Sequence, residues 1–193
     1  MISPAIFRQY DIRGVWGKEL TEEVAELIGK GFASCLLNKL SRDRARVSVG
    51  MDVRLHSGVI KKRLINGLNN SGLDVIDLGI CPTPLQYYSL FRLPVDGGVM
   101  ITGSHNPPEF NGFKLSIGRE TLFGDDIKVL ERTINARNFK SGKGTVEQYP
   151  IIDDYVDFLK DKFQSLDGIK VVIDAGNATA GLVAPRILKA LGA

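Results

Sequence analysis

Apolar positions along the chain alternate between a helical and an extended rhythm, and that alternation predicts the fold. Val24, Leu27, Ile28, Cys35 and Leu36 share one helical face over residues 21–40, with Thr21 as N-cap and Glu22 and Glu23 complementing the positive helix start. A short apolar run over 47–51 predicts a strand. Ile60, Leu64 and Leu68 predict a helix from a Ser57 cap to about residue 70, stopped by Gly72. A strand over 73–79, a turn through Cys81-Pro82-Thr83-Pro84 and a short helix over 85–90 come next. Val99 to Thr102 then reads as a buried strand. Asn111-Gly112 is a turn signal, and 113–117 alternates as a strand that closes a hairpin through 121–123. Helices are expected over 125–137, on Ile127, Leu130 and Ile134, and over 151–163, on Ile152, Tyr155, Val156 and Leu159. A buried strand over 169–174 and a helix over 182–191 end the series.

Strands separated by helices imply an α/β fold with a mixed, largely parallel sheet flanked by helices. The polar stretch 140–145 is expected to link two domains, 1–149 and 150–193. A single strand-helix unit cannot bury its own apolar faces, so the second domain is expected to be incomplete at Ala193.

Candidate chemistry concentrates just after the strand at Val99. The chain stops pairing at Gly103, presents Ser104, His105 and Asn106 in succession, and is barred from helix or ladder by Pro107-Pro108. Three polar side chains thus stand at a strand tip, where open α/β sheets bind ligands. The residues alone fit an ordinary polar turn and a functional serine about equally well. A nucleophile elbow is excluded, because Thr102 and Asn106 occupy its glycine positions.

Composition narrows the partners. A net charge of +3 in 193 residues is too small to imply nucleic acid, yet suits a small anion if the charges cluster. Cys35 and Cys81 are far apart and read as buried thiols; two histidines, His56 and His105, leave little for a protein-built zinc site. No segment approaches the ~20 apolar residues of a membrane span, and the start lacks a signal-peptide pattern, so a cytoplasmic protein without membrane contacts is expected. The basic run Lys61-Lys62-Arg63 reads as a solvated helix face.

Two motifs resemble one family. Thr-Gly-Ser-His-Asn-Pro-Pro-x-x-Asn-Gly-Phe-Lys, from Thr102 to Lys114, is similar to the phosphoserine loop of the α-D-phosphohexomutases, and Phe7-Arg8-Gln9-Tyr10-Asp11-Ile12-Arg13-Gly14 is similar to their N-terminal signature. The resemblance implies a phosphoryl group carried on Ser104, exchanged with hexose phosphates through a sugar bisphosphate. It implies Arg13 polarising a reacting hydroxyl, Lys114 offsetting phosphate charge, and His105 and Asn106 orienting the loop and phosphate. It places Tyr10 against the sugar phosphate and leaves proton handling open between His105 and Lys114. It implies Mg2+ reaching Ser104 through its phosphate, with aspartate ligands beyond residue 193, a sugar bisphosphate activator, and a chain inactive alone.

Departures from the family pattern matter too. Met51 replaces an arginine in Gly-Arg-Asp-x-Arg-x-Ser, so that arginine's role does not carry over. Asp52 and Arg54 remain, as a strand-end ion pair or a brace for the serine loop. Ala178 replaces a glycine in Asp-x-Gly-Asn-Gly-x-x-Gly. The motifs favour the phosphomannomutase/phosphoglucomutase branch over glucosamine phosphate as substrate. A non-catalytic sugar-phosphate-binding module is the competing function.

Overall fold

A computed structural model describes residues 2–193. Seven strands form one sheet: β1 (Ile12–Val15), β2 (Ala45–Met51), β3 (Leu73–Ile80), β4 (Gly97–Ile101), β5 (Phe110–Ile117), β6 (Glu120–Thr121) and β7 (Val146–Gln148). The order is β1-β5-β4-β2-β3-β7, with β6 beside β5. The pairs β4-β2, β2-β3 and β3-β7 are parallel, while β5 is antiparallel to β1, β4 and β6. The sheet is therefore mixed and largely parallel, as the alternation predicts.

The helices are α1 (Glu22–Leu40), α2 (Ser57–Asn69), α3 (Thr83–Arg92), α4 (Asp125–Asn135), α5 (Ile151–Lys160) and α6 (Ala180–Ala190). Alternate residues of β4 explain the layers. Val99 and Ile101 face a large core with Phe32 of α1, Leu64 of α2 and Leu130 of α4. Met100 faces the opposite core, with Leu85 of α3, Ile151 of α5 and Val183 of α6. Thr21 caps α1 as expected, its hydroxyl accepting from Val24 N at 3.3 Å. The backbones of α1 and α2 touch: a methyl on Gly29 would overlap Leu64 O, and one on Gly67 would overlap Glu26 O.

The structure corrects several expectations. Ser57 is the first residue of α2 and His56 precedes it as cap; the Ser57 hydroxyl donates instead to Asp52 Oδ1 at 2.6 Å. Helix α3 starts at Thr83, because Pro84 lies where a helix has no use for its missing N–H. Asn111-Gly112 makes no turn. It lies within β5 opposite Gly14 and Arg13 of β1, where a Gly112 side chain would strike Ile12 O. The stretch 140–145 is tied to the sheet and α2: Gly142 N and Gly144 N donate to Asn70 O and Asn69 O at 3.0 and 2.9 Å, and Val75 N donates to Thr145 O at 2.8 Å. It leads into β7, an exposed edge strand too short for a period to be read.

Lys61 is not solvated. Its ammonium meets both Asp77 oxygens at 2.8 and 2.7 Å beside the sheet. Cys81 is buried as expected, but Cys35 is only partly so. Finally, 169–174 forms no ladder among the described residues. Its apolar side chains find no partner strand, and Val172 stands fully exposed.

Candidate active site

The end of β4 sets the site. After Ile101, Thr102 N still donates to Gly112 O at 3.0 Å, and then the chain leaves the sheet. Ser104 is left-handed, with φ +54°, a conformation costing a non-glycine residue roughly 1–2 kcal/mol. Its N–H donates to Thr102 Oγ1 at 2.8 Å, and Asn106 N to Gly103 O at 3.0 Å. Phe110 N donates to Pro107 O at 3.0 Å, closing a second turn. The exposed Ser104 hydroxyl lies 3.2 Å from His105 Nδ1.

A lattice of buried and half-buried groups holds this loop from the β2-α2 junction. Arg54 Nη1 donates to Pro107 O and Phe110 O at 2.6 and 2.9 Å, and Nη2 to Asn106 O and Ser104 O at 2.6 and 3.2 Å. Its Nε pairs with Asp52 Oδ2 at 3.3 Å. The same Asp52 oxygen accepts from Gly103 N at 3.1 Å. Asp52 and Arg54 are thus an ion pair and a brace at once. Behind them, buried Asn111 donates from Nδ2 to Ser57 Oγ at 2.9 Å, tying β5 to α2. The sequence offered Ser57 only as a helix cap, Asn111 only as part of a turn, and Thr102 only as the opening of the serine motif; none was expected as support for the loop.

The N-terminal signature approaches from β1. Arg13 is 7% exposed, and its Nη1 bonds Asn106 Oδ1 and Gly103 O. Its Nη2 pairs with Asp11, whose Oδ2 also lies 4.0 Å from Lys114 Nζ on β5. Antiparallel β1-β5 pairing sets Arg13 opposite Gly112, two residues from Lys114. Ser104, His105, Asn106, Arg13 and Lys114 therefore form one connected cluster. Tyr10 does not join it: it is 66% exposed, without a side-chain hydrogen bond among the described residues.

The loop opens on a cleft of about 1070 Å³, a size fitting a small-molecule ligand. Its lining includes Ser104 and Asn106 of the loop, Arg54 and His56 of the β2-α2 junction, and Asn177 and Thr179 from the turn before α6; Arg13, His105 and Lys114 do not line it. His56 packs edge-on against Trp16 at 5.6 Å, and its burial lowers its pKa below the ordinary imidazole value. No group of three or more ligating side chains able to hold a metal occurs among the described residues. The carboxylates near Ser104, Asp11 and Asp52, are both engaged by arginines.

A serine at the open end of a sheet, in a loop bound by Arg13, with Lys114 joined to that arginine through Asp11, is a site suited to an anionic ligand. The chain belongs to the phosphoglucomutase/phosphomannomutase family. The family profile described as "Phosphoglucomutase/phosphomannomutase, alpha/beta/alpha domain I" matches residues 4–141. A phosphomannomutase/phosphoglucomutase of Pseudomonas aeruginosa is 44% identical over 97% of this chain and 40% of its own length. A phosphoglucomutase of Neisseria meningitidis is 36% identical over 99% of this chain and 41% of its own. The crystal structure of a phosphoglucomutase/phosphomannomutase family protein from Burkholderia thailandensis superposes with a TM-score of 0.92 at 39% identity, covering 99% of this chain and 43% of that one. The chain thus spans about 40% of the length of the relatives it matches.

Proposed function

We propose that the protein is a phosphohexomutase of the phosphomannomutase/phosphoglucomutase type, acting in the cytoplasm on hexose 1- and 6-phosphates. Residues 1–149 would carry the serine loop and 150–193 belong to a second unit. The observation that carries this reading is the Ser104 hydroxyl, held at the tip of β4 in a left-handed turn, with buried Arg13 bound to the same loop.

Read onto these residues, phosphoserine 104 passes its phosphoryl group to a sugar hydroxyl. The Ser104 O–P bond breaks, the sugar O–P bond forms, and the hydroxyl proton moves to the free imidazole nitrogen of His105 or, where Lys114 is a neutral amine and not the charge-offsetting cation, to Lys114. The sugar bisphosphate reorients in the cleft and returns its other phosphoryl to Ser104, so phosphate is conserved over the cycle. Such transfer needs positioning and charge neutralisation more than covalent help from other side chains. Arg13, permanently charged and forked, polarises the reacting hydroxyl. Lys114 offsets the phosphoserine charge, Asn106 orients the phosphate, and Tyr10, free at the surface, contacts the sugar phosphate. A sugar bisphosphate supplies the first phosphoryl.

The residues present do not themselves make a site for the expected Mg2+, because Asp11 and Asp52 already pair with arginines. Only phosphoryl oxygens on Ser104 would be offered to a cation.

The test is a mutase assay on the protein at its native length. Ser104→Ala should abolish conversion of glucose 1-phosphate to glucose 6-phosphate, and retained turnover would overturn the reading. Tight sugar-phosphate binding by an unmutated protein without turnover would replace it with a binding module.

A further inference from the structure

We infer that Arg54 is a positioning residue for phosphoryl transfer, fixing Ser104 through its backbone without touching its hydroxyl. The inference rests on the reading of Ser104 as phosphoryl carrier.

The loop has few means of ordering itself. Pro107 and Pro108 carry no N–H, so its carbonyls cannot all be satisfied internally. One guanidinium takes up four of them, those of Ser104, Asn106, Pro107 and Phe110, and so binds both turns of the loop. Its third nitrogen pairs with Asp52, and Asp52 holds the N–H of Gly103 on the other side of the serine. Ser104 is thereby gripped before and after, in a conformation it would otherwise resist.

The grip is anchored to rigid elements. Asp52 N donates to Ile101 O at 2.9 Å, the last residue of β4, and Asp52 Oδ1 accepts from Ser57 Oγ at the start of α2. Gly103 leaves the space that the guanidinium fills, since any side chain there would overlap it. A lysine cannot reproduce this arrangement. Its donors radiate from one atom, whereas the arginine donors form a planar fork spanning several ångströms.

The experiment compares unmutated protein, Arg54→Ala and Arg54→Lys at native length. We expect kcat to fall about 10²-fold in Arg54→Ala, the scale of an ångström-level misplacement, while KM for the sugar phosphate changes less than about threefold. Guanidinium ion should restore part of the alanine variant's rate and none of the lysine variant's. Hydrogen exchange at the Gly103, Ser104 and Asn106 amides should accelerate in both variants. A kcat within about threefold of normal, or a raised KM at unchanged kcat, would overturn the positioning role. If Arg54→Ala does not fold, Arg54→Lys decides: a normal kcat overturns the role, and a lowered kcat at an unchanged unfolding midpoint supports it. Absence of phosphoryl on Ser104 in the unmutated enzyme would instead overturn the phosphoserine reading, and the exchange data would still judge the clamp.

Discussion

A methyl group on Gly103 would occupy the space of the Arg54 guanidinium. Gly103 lies outside the left-handed region, so alanine there is strained by contact rather than by backbone conformation. Gly103→Ala should therefore displace Arg54 and destabilise the fold by roughly 1–3 kcal/mol, measured by urea unfolding. An unchanged midpoint would mean that the loop yields without resistance. Cys81 gives a second test at this scale. Burial pushes its thiol up to about 12, so little thiolate exists near neutrality. Iodoacetamide at about pH 8 should leave Cys81 unmodified in the native protein and modify it after denaturation, with partly exposed Cys35 reacting first. Rapid native modification of Cys81 would contradict its burial.

The first turns of α2 and its cap hold two groups whose surroundings decide stability. Lys61 and Asp77 are about 15% and 6% exposed and pair with each other, with Gly79 N and Gln148 Nε2 also donating to Asp77. Asp77→Ala would leave a buried ammonium unpaired, and a loss of about 3–5 kcal/mol is expected in urea unfolding. At the N-cap just before α2, burial lowers the pKa of His56. Between its folded value and the ordinary value of about 6.5, the unfolded chain binds a proton that the folded chain does not. The His56 contribution to stability should thus be present above about pH 6.5 and be lost as pH falls towards the folded pKa. His56→Gln should flatten the urea midpoint over that window, and an identical pH dependence in the variant would refute it.

At the same scale, long periodic helices such as α1 and the short, wholly buried apolar run of β4 were legible because their cores impose the pattern. The strand β7 and the pinning of 140–145 were not. An exposed edge strand of Val146, Glu147 and Gln148 has no buried face to write a period into the sequence. The solvated face expected for Lys61 failed for a related reason: charge alone does not reveal a carboxylate on a neighbouring strand.

Across the whole molecule, the serine loop was legible as a motif, but its support was not. Asp52 and Ser57, at the β2-α2 junction, and Asn111, on β5, meet only in three dimensions. The run 169–174 shows the converse. Its sequence reads as a buried strand, yet without a paired neighbour Ile169, Val171 and Val172 remain exposed. Limited trypsin digestion of this chain should cut at exposed Lys170 well before any site in the sheet. Earlier cleavage at Lys114, within β5, would contradict the topology.

On the proposed function, Ser104 carries the phosphoryl group. Its most direct test is phosphopeptide mapping of the protein at native length after incubation with glucose 1,6-bisphosphate. One phosphoryl group on Ser104 is predicted, absent from Ser104→Ala. Isomerisation of hexose phosphate with no phosphoryl on Ser104, or with one on a different residue, would contradict it.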